Sequence, residues 1–141
     1  MSDLIKLEPK PLREVWDGIK PCLEEMKRDW PELGTWRVED VYAAVLNEEA
    51  IIYTTEDGFA ICTRETDEFS LRSDLCIWIA YAYEPSRGGI LEKYLMSFIA
   101  AAKSLGYSGV TTKSNHPAVA KMAGLEAVYT HYRVEVDGEE T

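Results

Sequence analysis

The chain has 141 residues and a formal net charge of −10, with 46% apolar and 28% charged residues. That is the size and balance of a single globular domain (residues 1–141), able to bury a core without disulfides or a structural metal. An acidic surface repels phosphate backbones and anionic lipid, so nucleic acid and membrane are not expected partners; a cationic small-molecule amine, a protein amine or a basic protein surface is.

The segment Leu4 to Leu7 predicts a short first strand, ended by Pro9 and Pro11. It is too short and too polar to read as a signal peptide, and no apolar run reaches the ~20 residues of a membrane span. From Leu12 the period becomes helical: Leu12, Val15, Trp16, Ile19, Leu23, Met26 and Trp30 recur at spacings of three and four. Cys22 falls in this stretch. With Cys62 and Cys76 it forms no CxxC pair, which suits reduced, buried thiols, a cytoplasmic protein and no zinc site. Gly18 and Pro21 predict a kink or break in the helix. Val38, Val41, Tyr42, Val45 and Leu46 make a second apolar stripe, with Glu39 and Asp40 at the positive end of its dipole.

The period then changes to two. Ala50 to Thr55 predicts a strand, Asp57-Gly58 a tight hairpin turn, and Phe59 to Thr66 the returning strand. A polar loop from Thr66 to Ser73 leads to LCIWIAYAY, Leu75 to Tyr83. This run is apolar at odd and even positions alike, as in a strand covered on both faces and central in its sheet. The turn Glu84-Pro85-Ser86-Arg87-Gly88-Gly89 precedes the strongest helical pattern: Ile90, Leu91, Tyr94, Leu95, Phe98, Ile99, Ala102 and Leu105, stopped by Gly106. Gly109 to Lys113 predicts a strand parallel to the central one. A short helix over Pro117 to Ala123 and a last strand over Ala127 to Val136 follow. The fold class is therefore α/β (α+β): a mixed, mostly antiparallel sheet with one β-α-β crossover and helices on both faces.

The stretch WIAYAYEPSRGGILEKYLMSFIAAAKSLGYSGVTTKSN, followed by HPAVAKMAGLEAVYTHYRVEV, resembles the GNAT superfamily of N-acetyltransferases, and the element order does so along the whole chain. It is also similar to small GNAT-like proteins encoded in bacteriophage genomes. The resemblance implies acetyl-coenzyme A as co-substrate. Its pyrophosphate would lie on the turn Ser86, Arg87, Gly88, Gly89 and Ile90, where free helix amides and a positive dipole end favour an anion. Its pantetheine would lie along Ile79, Tyr81 and Tyr83, with Asn115 nearby.

Three positions depart from the family pattern. Glu84 stands where Arg or Gln is usual, Arg87 where the middle glycine belongs, and Ala120 where many members carry a tyrosine general acid. Glu84, at the mouth of the central strand, is the candidate for accepting a proton from an amine. Tyr129 or His131 is the candidate replacement acid. Trp36 is a candidate lining residue of the acceptor site. Two functions stay open: an acyl-coenzyme A-dependent N-acetyltransferase using direct attack by an amine, or a protein that keeps the fold without the chemistry and serves as a binding or structural component, with a homodimer or protein partner.

Overall fold

A computed structural model describes residues 7–29, 36–84 and 89–112. The elements are α1 (Leu12–Asp29), α2 (Val38–Leu46), β1 (Ala50–Thr55), β2 (Gly58–Thr66), β3 (Ser73–Ala82), α3 (Ile90–Ser104) and β4 (Gly109–Thr112). The strands form one sheet in the order β1-β2-β3-β4. β1, β2 and β3 are antiparallel in turn, and β3 and β4 are parallel. This matches the expected hairpin, central strand and crossover. The expected first strand lies largely outside the described residues; its described continuation makes one antiparallel bridge, Pro9 to Tyr53. The expected helix after Pro117 and strand after Ala127 also lie outside the described residues.

Strand alternation separates two cores. On one face Tyr53, Ala60, Cys62, Leu75 and Ile77 pack with Ile90, Tyr94, Phe98 and Ala102 of α3. On the other, Ile52, Phe59, Ile61 and Ile79 pack with Ile19, Leu23 and Met26 of α1 and Val41 of α2. Each large side chain buried this way contributes about 1.5–3 kcal/mol of transfer free energy.

Of the expected kink or break, a break does not occur: α1 runs as one helix through Pro21. Pro21 and Asp17 both lie on the exposed side of the helix, where solvent can meet a carbonyl that loses its helical donor. The buried anchors Ile19, Leu23 and Met26, spaced by four and three, hold both halves on the sheet. α2 starts where the Arg37 amide donates to Asp40 Oδ2 at 2.8 Å, satisfying one end of the helix with a carboxylate. Gly106, at φ 80°, follows the last turn of α3 as the left-handed stop that the sequence predicted.

Candidate functional site

β2 covers one edge of β3 along its whole length, from Ser73 opposite Thr66 to Ala82 opposite Gly58. On the other edge, among the described residues, the parallel ladder with β4 ends at Ile77 opposite Thr112. There the Thr112 hydroxyl donates to the Ile77 carbonyl at 3.2 Å. β3 itself continues to Ala82. All four residues of β4 are thus paired with β3, from Asp74 to Ile77.

The same point carries a β-bulge. Ile61 pairs with Ile79 and Cys62 with Ile77, leaving Trp78 as the extra residue of β3. Ile77 packs on the α3 face, whereas Ile79, two residues on, packs on the opposite face. A regular strand puts residues two apart on one face, so the bulge rotates the remainder of β3. The sequence hid this device: a run apolar at every position carries no alternation for a bulge to shift.

Of the residues singled out from sequence, Ile79, Tyr81, Tyr83, Glu84, Gly89 and Ile90 are described; Ser86, Arg87, Gly88, Asn115 and Tyr129 lie outside the described residues. Ile79 is buried and Glu84 exposed. Tyr81 lies on the α1 face of the sheet: its ring stacks on Phe59 with centroids 5.4 Å apart, and its hydroxyl donates to Glu25 Oε1 of α1 at 3.2 Å. Burial, with Cys22 and Glu25 adding to it, pushes the Tyr81 phenol up to about 12. Tyr83, half-exposed, lies edge-on to Tyr81 at 6.0 Å, and burial raises its phenol too. Any use of Tyr81 for binding along the edge would therefore fall to its backbone.

Gly89 caps α3 with φ −79° and ψ 156°, extended angles open to any residue. Among the described residues, a Cβ there would meet only Glu92 Oε1, at 3.7 Å. Neither the backbone angles nor these neighbours require a glycine at this position. Ile90 is buried under the sheet and anchors the first turn.

A cavity of about 940 Å³ opens on the α2 side of the sheet and reaches the bulge. Its walls include Trp36, Trp78, Glu48, Glu49 and Glu65, with Arg64 as a cation among them. Trp36 and Trp78 meet edge to face at 6.2 Å, and Lys27 covers the Trp36 ring at 4.8 Å. Trp36 thus lies on a cavity wall, while Glu65 joins the adjacent pair Glu48 and Glu49 only through the fold. Trp16, expected in the core, is half-buried and lies edge-on to Tyr42 at 5.1 Å. No group of three or more His, Cys, Asp or Glu suited to a metal occurs among the described residues. No described helix is long and apolar enough to cross a membrane.

Solved structures that share this fold carry the name acetyltransferase. A probable acetyltransferase is 13% identical with a TM-score of 0.68, covering 94% of this chain and 99% of that one. A predicted acetyltransferase from Clostridium acetobutylicum, solved with acetyl-CoA, is 13% identical with a TM-score of 0.61, covering 96% and 97%. An aminoglycoside acetyltransferase from an uncultured soil metagenomic sample, in complex with sisomicin, is 14% identical with a TM-score of 0.63, covering 95% and 97%. No protein-family model matches the chain, and no curated protein does. The fold is that of the GNAT-type acetyltransferases.

Proposed function

We propose that the protein is an acyl-coenzyme A-dependent N-acetyltransferase that acetylates a cationic amine by direct attack. One observation carries the reading: the central strand β3 is followed in the chain by α3, whose cap Gly89 holds extended angles and where, among the described residues, a Cβ would meet only Glu92 Oε1 at 3.7 Å. Pantetheine amides can hydrogen-bond along β3 as an added strand does. The pyrophosphate can then meet the free amides of the first turn at Gly89 and Ile90, with Arg87 as a countercharge.

The acceptor approaches through the cavity at Trp36 and Trp78. Glu48, Glu49 and Glu65 favour its ammonium form there, and the indole rings favour a cation electrostatically. An acetyltransferase of this fold with sisomicin bound is in keeping with an amine acceptor. Glu84, directly or through a water, takes one proton from the ammonium group. The amine nitrogen then forms a bond to the thioester carbonyl carbon and loses its second proton to solvent, the carbon–sulfur bond breaks with its electron pair going to sulfur, and the thiolate takes a proton as it departs. Tyr129 is the candidate donor of that proton. Ala120, where a tyrosine acid is usual, leaves the alternative of a protein that binds without catalysing.

Isothermal titration with acetyl-coenzyme A tests the reading. Heat of binding is expected below ~1 mM, an affinity of only ~4 kcal/mol. Gly89→Val is expected to abolish that heat while the protein stays folded, because the added side chain enters the approach to the helix amides. Arg87→Ala is expected to weaken binding by about 1.5–3 kcal/mol. Folded wild-type protein that gives no heat overturns the reading. Binding without coenzyme A thiol release across a panel of amines favours the non-catalytic alternative.

A further inference from the structure

The tip of the β1–β2 hairpin is built with more polar contacts than a turn requires. Thr55 Oγ1 accepts hydrogen bonds from the Asp57 and Gly58 amides, both at 3.1 Å, which closes the turn. The Asp57 carbonyl then accepts from the Tyr83 amide at 2.9 Å, fastening the tip to the end of β3. Its carboxylate points the other way, into α3. Oδ2 accepts the Tyr94 hydroxyl at 2.5 Å and pairs with Lys93 Nζ at 3.0 Å, with the Asp57 side chain only 16% exposed. Gly58 lets the tip come this close: a Cβ there would stand 1.9 Å from the Tyr81 carbonyl oxygen and 2.9 Å from Ile90 Cδ1.

The helix is articulated at the same place. Lys93 N donates to Gly89 O at 3.1 Å, closing the first turn. Tyr94, next in the chain, leaves helical angles (φ −115°, ψ 16°). The backbone on its own therefore does not impose the direction of the first turn on the rest of α3, and side-chain contacts at the break must do so. Ile90 supplies an apolar one; Asp57 supplies two polar ones, to the adjacent residues Lys93 and Tyr94.

We infer that Asp57 is a positioning residue: through Tyr94 and Lys93 it fixes the first turn of α3 in the orientation that presents its amides to acetyl-coenzyme A. The inference rests on the proposed binding site, and Asp57 touches neither the co-substrate nor the reacting atoms. It therefore governs affinity for the co-substrate and not the chemical step.

Asp57→Ala removes both contacts. It is expected to raise the Kd and the KM for acetyl-coenzyme A about tenfold, the loss of one charge-assisted hydrogen bond, with kcat unchanged. Tyr94→Phe keeps the buried ring and removes only the hydroxyl; it is expected to move Kd in the same direction in a fully folded protein. Asp57→Asn keeps an acceptor for Tyr94 and is expected to restore most of the affinity. Independently of any ligand, amide hydrogen exchange from Gly89 to Lys93 is expected to quicken in Asp57→Ala, with Phe98 to Ala102 unchanged. Wild-type binding together with an unaltered Kd in both Asp57→Ala and Tyr94→Phe overturns the inference, as does a loss confined to kcat. Wild-type protein that binds no acetyl-coenzyme A refutes the proposed site instead, and the exchange pattern then decides whether Asp57 sets the first turn at all.

Discussion

Four tyrosines of the described residues, Tyr53, Tyr81, Tyr83 and Tyr94, hold their phenol protons above the ordinary value. Burial is the leading cause for each; Glu25 adds to it at Tyr81 and Asp57 at Tyr94. For Tyr81 the ordinary value of 10.0 rises to about 12. A raised phenol means that the folded protein keeps a proton that the unfolded chain gives up first. Stability from this source is full below pH ~10 and is lost progressively as the pH climbs through ~12. Tyr81→Phe removes the titrating group while keeping the stack on Phe59. Thermal unfolding of wild type and variant is expected to differ less at pH 11 than at pH 9, with the wild type losing more across that interval. An equal loss in the two proteins would show that the Tyr81 phenol is not the alkali-sensitive group.

Within elements, residues that oppose local structure stand where solvent absorbs the cost. Gly18 and Pro21 both sit on the exposed side of α1. A Cβ on Gly18 would meet nothing within 4 Å. Gly18→Ala is therefore expected to stabilise the protein by about 1 kcal/mol through helix propensity alone. For a domain of this size that raises the melting temperature by roughly 3 °C. A lower melting temperature would mean that the glycine has a role in α1 beyond the helix itself. Proline is different: it removes a donor, but on the exposed side of the helix, where solvent can take its place. In β3 the departure from regularity is buried rather than exposed. The bulge at Trp78 transfers Ile79 and Tyr81 to the α1 face.

For the whole molecule the dominant electrostatic fact is the net charge of −10. With Glu48, Glu49 and Glu65 on one cavity wall, the field and the proposed acceptor site have the same sign. Approach of a polycationic amine should be steered, and steering is screened by salt. For such an acceptor kcat/KM is expected to fall about tenfold from 10 mM to 500 mM sodium chloride, whereas a mono-cationic amine changes much less. Equal salt dependence for the two acceptors would count against a charge-selected acceptor site.

Local chemistry was enough to read most elements. Helical spacing placed α1, α2 and α3, the change to period two placed β1 and β2, Asp57-Gly58 marked the hairpin, and Gly106 marked the end of α3. These signals act within a few residues and need no partner. The centrality of β3 was legible because only a strand covered on both faces is apolar throughout. That same uniformity concealed the bulge, since register shows in sequence only where polar and apolar positions alternate. A buried tyrosine at position 94 had to satisfy its hydroxyl, but its partner Asp57 is 37 residues away, and no local rule pairs them. The continuity of α1 through Pro21, the Tyr81–Glu25 bond and the joining of Trp36, Trp78 and the three glutamates in one cavity are likewise products of packing. The sequence by itself determined which segments become helix or strand and where they stop; the tertiary structure alone decided which face each side chain reaches, because that depends on strand register and on contacts between distant parts of the chain.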